Sequence, residues 1–194
     1  WISTLGAVGI QEAHFAGSPL IVLTETSDYD GYGQMGVYQT MTGDYGGANA
    51  MASLNPITKY CTYATTPEEA IYGTQLAAKH ASLPRMGPAA VIMKTSIIRQ
   101  EISQPAKPDL YPTEGYLRYT PARPDQAAVE ELARMLNAAK NPVIVAGNGV
   151  LGANAGVALQ ELAEASAIAV ATSYNGKGVI AETSDIAVGM LGTW

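Results

Sequence analysis

The most constraining stretch of this chain is residues 143–172, which read as strand, glycine turn, helix and strand. Val143-Ile144-Val145-Ala146 is a short apolar run behind Asn141-Pro142, and Gly147-Asn148-Gly149-Val150-Leu151-Gly152 follows it. Gly156 to Ala165 then carries helical spacing, and Ile168 to Thr172 is apolar again. Two short apolar runs joined by a helix within about 30 residues form a βαβ unit, whose strands run parallel. Parallel strands are covered by helices, so the expected fold class is α/β: parallel sheets flanked by helices, with a Rossmann-like second half.

The first half shows the same alternation. A helical pattern over residues 4–16 is broken by Gly17-Ser18-Pro19, and Leu20-Ile21-Val22-Leu23 predicts a buried strand. Residues 48–54 predict a short helix and Ile57 to Tyr63 a strand. Thr66-Pro67-Glu68-Glu69 is a helix start: Thr66 caps, Pro67 suits the first helical position, and Glu69 completes a capping box. That helix should reach about Ala81 and bury Ile71 and Leu76, with Pro88 to Met93 as the next strand. Five of the eleven prolines (105, 108, 112, 121 and 124) fall between Ser103 and Pro124. Proline fixes φ and removes an amide donor, so this stretch predicts a semi-rigid linker. The expected organisation is residues 1–102 as one domain, 103–124 as linker and 125–194 as a second domain. Asp125 should cap a helix whose apolar face holds Val129, Leu132, Leu136 and Ala139.

Charge narrows the function. Charged residues make up 14% of the chain, the net charge is −6, and no Lys or Arg precedes Lys59. A nucleic-acid surface needs a basic stripe, so nucleic acid is not an expected partner. No run of about 18 apolar residues exists to span a membrane. Cys61 is the only cysteine, which excludes an intrachain disulfide and a cysteine-cluster metal site, and a cytoplasmic setting follows as the simplest expectation. The chain opens at Trp1 within a helical pattern and stops at Trp194 after the run Ile186 to Leu191. Both ends predict a piece of a longer protein with both domains incomplete.

Two glycine motifs are candidates for ligand contact. Gly147 to Gly152 fits G-x-G-x-x-G between strand and helix, where backbone can approach a phosphate; a plain tight turn would look the same. A nicotinamide dehydrogenase would place an acid at the end of the next strand to hold the ribose, and Thr172-Ser173-Tyr174 stands there instead. Gly176-Lys177-Gly178 offers a second loop on the same sheet edge, or a solvated turn. Residues 27–47 alternate glycine and tyrosine, suiting either an active-site cover or a surface excursion. His14 and His80 have no Ser, Cys or Asp arrangement of a triad around them and read as structural.

Five stretches, in order, resemble the acetolactate-synthase branch of the thiamine-diphosphate-dependent enzymes. They are LGAVGIQEAHFAGSPLIVL (residues 5–23), PITKYC (56–61), TPEEA through GPAAVIM (66–93), AAKNPVIVAGNGVL (138–151) and TSYNGKGVIAETSDIAVGMLG (172–192). The resemblance implies the end of a pyrimidine-binding domain followed by the start of a central domain. It implies thiamine diphosphate and Mg²⁺ in the parent enzyme, a 2-oxo acid or acyl substrate, and a homodimer or tetramer. The family's catalytic glutamate belongs upstream and its Gly-Asp-Gly…Asn motif downstream, so no catalytic or metal residue is expected here and the chain alone should be inactive. Carried over by position, Gly147, Asn148, Gly149, Thr172, Ser173 and Tyr174 would lie along FAD or ADP, while Thr193-Trp194 replace a flavin-contacting pair. The one catalytic candidate is Gln39: Val37-Tyr38-Gln39 resembles the family's A-F-Q, whose glutamine approaches the partner subunit's active site, although Gln39 lies further from Pro56 than the family spacing. The alternative function is a non-catalytic FAD- or ADP-binding α/β module.

Overall fold

Pro88-Ala89-Ala90-Val91-Ile92 has no polar side chain and is buried throughout, and the first half of the molecule is arranged to keep it dry. The computed structural model describes residues 1–26, 41–43, 47–102 and 110–192. It divides into two units, Trp1–Thr120 and Pro121–Trp194.

In the first unit α1 (Ala7–Ala16) leads into β1 (Leu20–Thr26) through Gly17, which is left-handed at φ 66°. The short α2 (Ala50–Leu54) and a 3₁₀ turn (Asn55–Ile57) precede β2 (Tyr60–Ala64). Then come α3 (Pro67–Ser82), β3 (Pro88–Lys94), and the single turns α4 (Thr95–Ile98) and α5 (Thr113–Tyr116). The sheet order is β1-β3-β2, with both pairings parallel. Strand side chains alternate between faces, and β3 divides its residues accordingly. Ala90 and Ile92 join Ile10, Val22, Met41, Ala50 and Leu54 in one core, and Ala89 and Val91 join Ala77 and Ala81 of α3 in another.

The helix start at Thr66 forms as expected. The Thr66 hydroxyl accepts the Glu69 amide at 3.2 Å, and the Glu69 carboxylate accepts the Thr65 amide at 2.7 Å and hydroxyl at 2.8 Å. The buried face of α3 differs from the expected one. Gly73, Ala77 and Ala81 face the sheet, while Leu76 is 41% exposed and Ile71 is half-buried. The reason is distance: a Cβ on Gly73 would come within 2.9 Å of Thr62 Cγ2, so the helix sits too close for large side chains. The far end of α3 is held by Lys59, whose ammonium donates to the carbonyls of His80 and Leu83, while the His80 ring stacks on Tyr60. Cations at a helix C-terminus satisfy its last carbonyls.

The second unit consists of α6 (Gln126–Ala138), β4 (Val143–Ala146), α7 (Asn148–Gly152), α8 (Gly156–Ser166), β5 (Ala169–Thr172) and β6 (Ala187–Met190). Its sheet order is β4-β5-β6, again parallel. Its core is Ala146, Ala163, Val170, Val179 and Ile180, with Ile144, Val150 and Leu159 packed against it. The Asp125 carboxylate caps α6 by accepting the Ala127 amide at 3.2 Å. The apolar stripe of α6 is present but none of its residues is buried: Leu132 is 56% exposed and Val129 42%. The glycine turn after β4 proves to be one further turn of helix, α7, because residues 148–152 hold helical geometry. Among the described residues no helix is long and apolar enough to cross a membrane.

Helix α8 ends on Ala167, which is left-handed at φ 51° and exposed. Only glycine adopts that conformation freely. Ala167→Gly should therefore stabilise the second unit by roughly 0.5–1 kcal/mol, read as a higher denaturation midpoint.

Both ends of α3 are sensitive to acid. Hydrogen bonds from the Thr65 amide and hydroxyl hold the Glu69 carboxyl below its usual range, and partial burial with the nearby Lys59 and Lys79 holds the His80 imidazole below its own. A lowered folded-state pKa contributes stability above the ordinary value and loses it as pH falls. Amide protection factors in α3, taken against the intrinsic exchange rate at each pH, should fall first below pH 6.5, from His80, and again below pH 4.5, from Glu69. Glu69→Gln should abolish the second step and leave the first.

Candidate functional site

Open parallel α/β sheets bind ligands outside the carboxyl ends of their strands, and both units place polar groups there. In the second unit β4 ends at Ala146, β5 at Thr172 and β6 at Met190. The Ser173 amide donates to the Ala146 carbonyl at 2.9 Å, which draws the segment after β5 against the segment after β4. Gly147 caps α7, and a Cβ there would lie 3.6 Å from Ser173 Oγ, an ordinary contact. Asn148 and Gly149 open α7.

The six candidate residues are not equivalent. Gly147, Asn148 and Ser173 are half-buried, and Gly149 is exposed. Tyr174 is 75% exposed at the start of a 3₁₀ turn, Tyr174–Gly176, with its ring free to stack. Thr172 is 5% exposed, and its carbonyl accepts the Leu191 amide at 2.7 Å, so it braces the edge from beneath. Gln39 and most of the glycine–tyrosine stretch lie outside the described residues, as do Pro105, Pro108, Thr193 and Trp194.

Space requires a glycine at position 176, outside the G-x-G-x-x-G run. A Cβ on Gly176 would collide with the Ala146 carbonyl oxygen and lie 3.0 Å from Gly147 Cα. The two glycine motifs therefore meet backbone to backbone. Gly149 and Gly152 have nothing within 4 Å of a Cβ position, so neither is required for packing. Residues 177–184 are fixed from several sides. Lys177 pairs with Glu182 at 3.2 Å, and Gln160 accepts the Ala181 amide at 3.4 Å while donating to Glu164 at 2.8 Å. Ser184 also donates to Glu164, at 3.3 Å. Between this segment and α7–α8 lies an open groove of about 340 Å³, lined among others by Leu151, Asn154, Val157 and Gln160. Only the spacing of Gln160 and Glu164, i and i+4 on one helix, hinted at it in the sequence.

In the first unit the strand ends carry a hydroxyl cluster. Thr95 Oγ1 donates to the Thr26 carbonyl at 2.8 Å and to Glu25 Oε2 at 3.2 Å, and Thr26 Oγ1 and Tyr63 Oη are 3.0 Å apart. Thr26 and Thr95 are 1% and 7% exposed. The sequence hid this cluster, because Thr26, Tyr63 and Thr95 lie more than 30 residues apart in the chain and meet only when β1, β2 and β3 pair. His14 Nδ1 and the Ile57 carbonyl are 3.1 Å apart, so this ring is held by backbone. Among the described residues no group of three His, Cys, Asp or Glu converges to hold a metal ion.

Residues 129–194 match the family described as thiamine pyrophosphate enzyme, central domain. Across 189 residues, 95% of this chain and 30% of the relative, the sequence is 31% identical to a probable acetolactate synthase large subunit from Methanocaldococcus jannaschii. It is 35% identical over 108 residues to a glyoxylate carboligase from Escherichia coli O157:H7, covering 56% of this chain and 17% of the relative. An acetolactate synthase large subunit from Corynebacterium glutamicum is 26% identical over 185 residues, 94% of this chain and 28% of the relative. The chain thus spans about 30% of the length of the acetolactate synthase subunits it matches.

The contact between the glycine motifs predicts opposite outcomes for two similar substitutions. Gly176→Ala forces backbone apart and should cost about 1–3 kcal/mol, while Gly149→Ala, inside a helix, should be neutral or stabilising by up to about 1 kcal/mol. Chemical denaturation of the two variants distinguishes them.

Proposed function

The chain belongs with the acetolactate-synthase-like thiamine-diphosphate-dependent enzymes, and on that premise we propose that it is the scaffold portion of one that acts on a 2-oxo acid or acyl donor. The observation that carries this reading is the identity of 31% running through both units, over 95% of the chain. Residues 1–102 are assigned to the later part of a pyrimidine-binding domain, 103–124 to a linker, and 125–194 to the opening of the central domain. Thiamine diphosphate, when bound, supplies the electron sink for the carbon being transferred. Among the described residues no group of three His, Cys, Asp or Glu converges to hold the accompanying Mg²⁺. What this chain contributes is rigid placement. The Thr26–Thr95–Tyr63 hydroxyls fix the ends of β1, β3 and β2, and the Gly176–Ala146 contact fixes the edge of the second sheet. Turnover is assigned to residues outside the chain, and the active assembly to a homodimer or tetramer.

A second reading, nucleotide binding at the central domain, rests on Gly147, Ser173 and Tyr174 sharing one sheet edge. That edge suits a flat ring laid on Tyr174 better than a pyrophosphate cradle. The Gly176 amide, which a phosphate would need, donates instead to the Ser173 carbonyl at 3.0 Å.

The test is to supply the full-length polypeptide with thiamine diphosphate, Mg²⁺ and simple 2-oxo acids, glyoxylate included. Cofactor-dependent release of CO₂ with formation of a carbon–carbon bond is expected. A full-length protein that binds the cofactor yet turns over no 2-oxo acid or acyl donor would refute the proposal. Titration with FAD and ADP, followed by fluorescence, decides the second reading, and Tyr174→Ala should weaken any binding found.

A further inference from the structure

The segment that leads to the second unit is poor in the groups that could anchor it. Proline cannot donate to a ladder, and Pro112 follows Tyr111 directly. Tyr111 still has both backbone polar groups, and one side chain answers both. Gln75 Nε2 donates to the Tyr111 carbonyl at 3.2 Å, and the Tyr111 amide donates to Gln75 Oε1 at 3.5 Å. A primary amide offers a donor and an acceptor side by side, as a neighbouring strand would. Two further contacts flank this pair. The Tyr72 and Tyr111 rings lie 6.4 Å apart, tilted by 53°. Leu110 lines an apolar groove of about 380 Å³ together with Leu23, Ile71 and Met93. Ile71, Tyr72 and Gln75 are neighbours on α3 at i, i+1 and i+4, so a single helix surface takes hold of Leu110–Tyr111.

We propose that Gln75 and Tyr72 form a clamp that fastens Leu110–Tyr111 to α3, just ahead of α5. The clamp contains no charged group, so neither moderate salt nor pH between 5 and 9 should release it.

Hydrogen exchange on the full-length protein tests this. The Tyr111 amide should be protected in the parent and should exchange roughly fivefold faster in Gln75→Ala. Gln75→Glu keeps an acceptor but loses the donor, and should give a smaller increase. Tyr72→Ala should also speed exchange, and tryptic cleavage after Arg118 should accelerate in step. Protection of the α3 amides reports whether the helix is intact in each variant, and the conservative Gln75→Glu retains a reading should Gln75→Ala perturb it. A Tyr111 amide that exchanges as fast as an unstructured peptide in the parent would overturn the proposal. So would exchange unchanged by both Gln75 substitutions, or release by salt alone.

Discussion

β3 has no dry side to spare: each of its first five residues is buried, and it pairs on both edges. Its backbone amides and carbonyls must be met by β1 and β2, and its two faces by different helices. That condition dictates the rest of the first unit. Small residues at Ala89 and Ala90 let helices approach, α3 answers with Gly73, Ala77 and Ala81, and the larger Ile10 and Leu54 fill the opposite side. Lys59 then closes the arrangement by tying the end of α3 to the strand beside β3.

The alternation of strands and helices was readable because period and punctuation agree. Pro67 after Thr66, Gly17 after α1, and Asn141-Pro142 before β4 mark boundaries that the structure keeps within a few residues. What the sequence concealed was which face of a helix meets the sheet. Hydrophobicity favoured Leu76 on α3, yet proximity favours the stripe of smaller residues Gly73, Ala77 and Ala81. The glycine motif misled in a similar way. G-x-G-x-x-G marks a place where backbone comes close, but the close approach is made by Gly176, some thirty residues on in a different loop. Contacts of that separation leave no local signature. The hydroxyl cluster of Thr26, Tyr63 and Thr95 was illegible for the same reason.

Exposure is distributed unevenly between the two sheets. Val143 and Val145 on β4 and Val188 on β6 are each 60% exposed, while the alternate residues Ile144 and Val170 lie in or against a packed core. The second sheet is thus finished on one face and apolar on the other. The relatives matched are about three times as long as the aligned region, which is in keeping with further chain covering such a face in those proteins.

The meeting of Gly176 with the Ala146 carbonyl also limits how this edge can be rebuilt. Two loops that touch through backbone atoms share one gap, so the tilt of either is set by the other. Length changes between Ser173 and Lys177 would pull this contact apart. Transplanting the edge of a relative onto this scaffold would have to carry both loops as one cassette. Randomising the loop after β5 alone would return glycine at position 176 again and again, whatever ligand was being selected for.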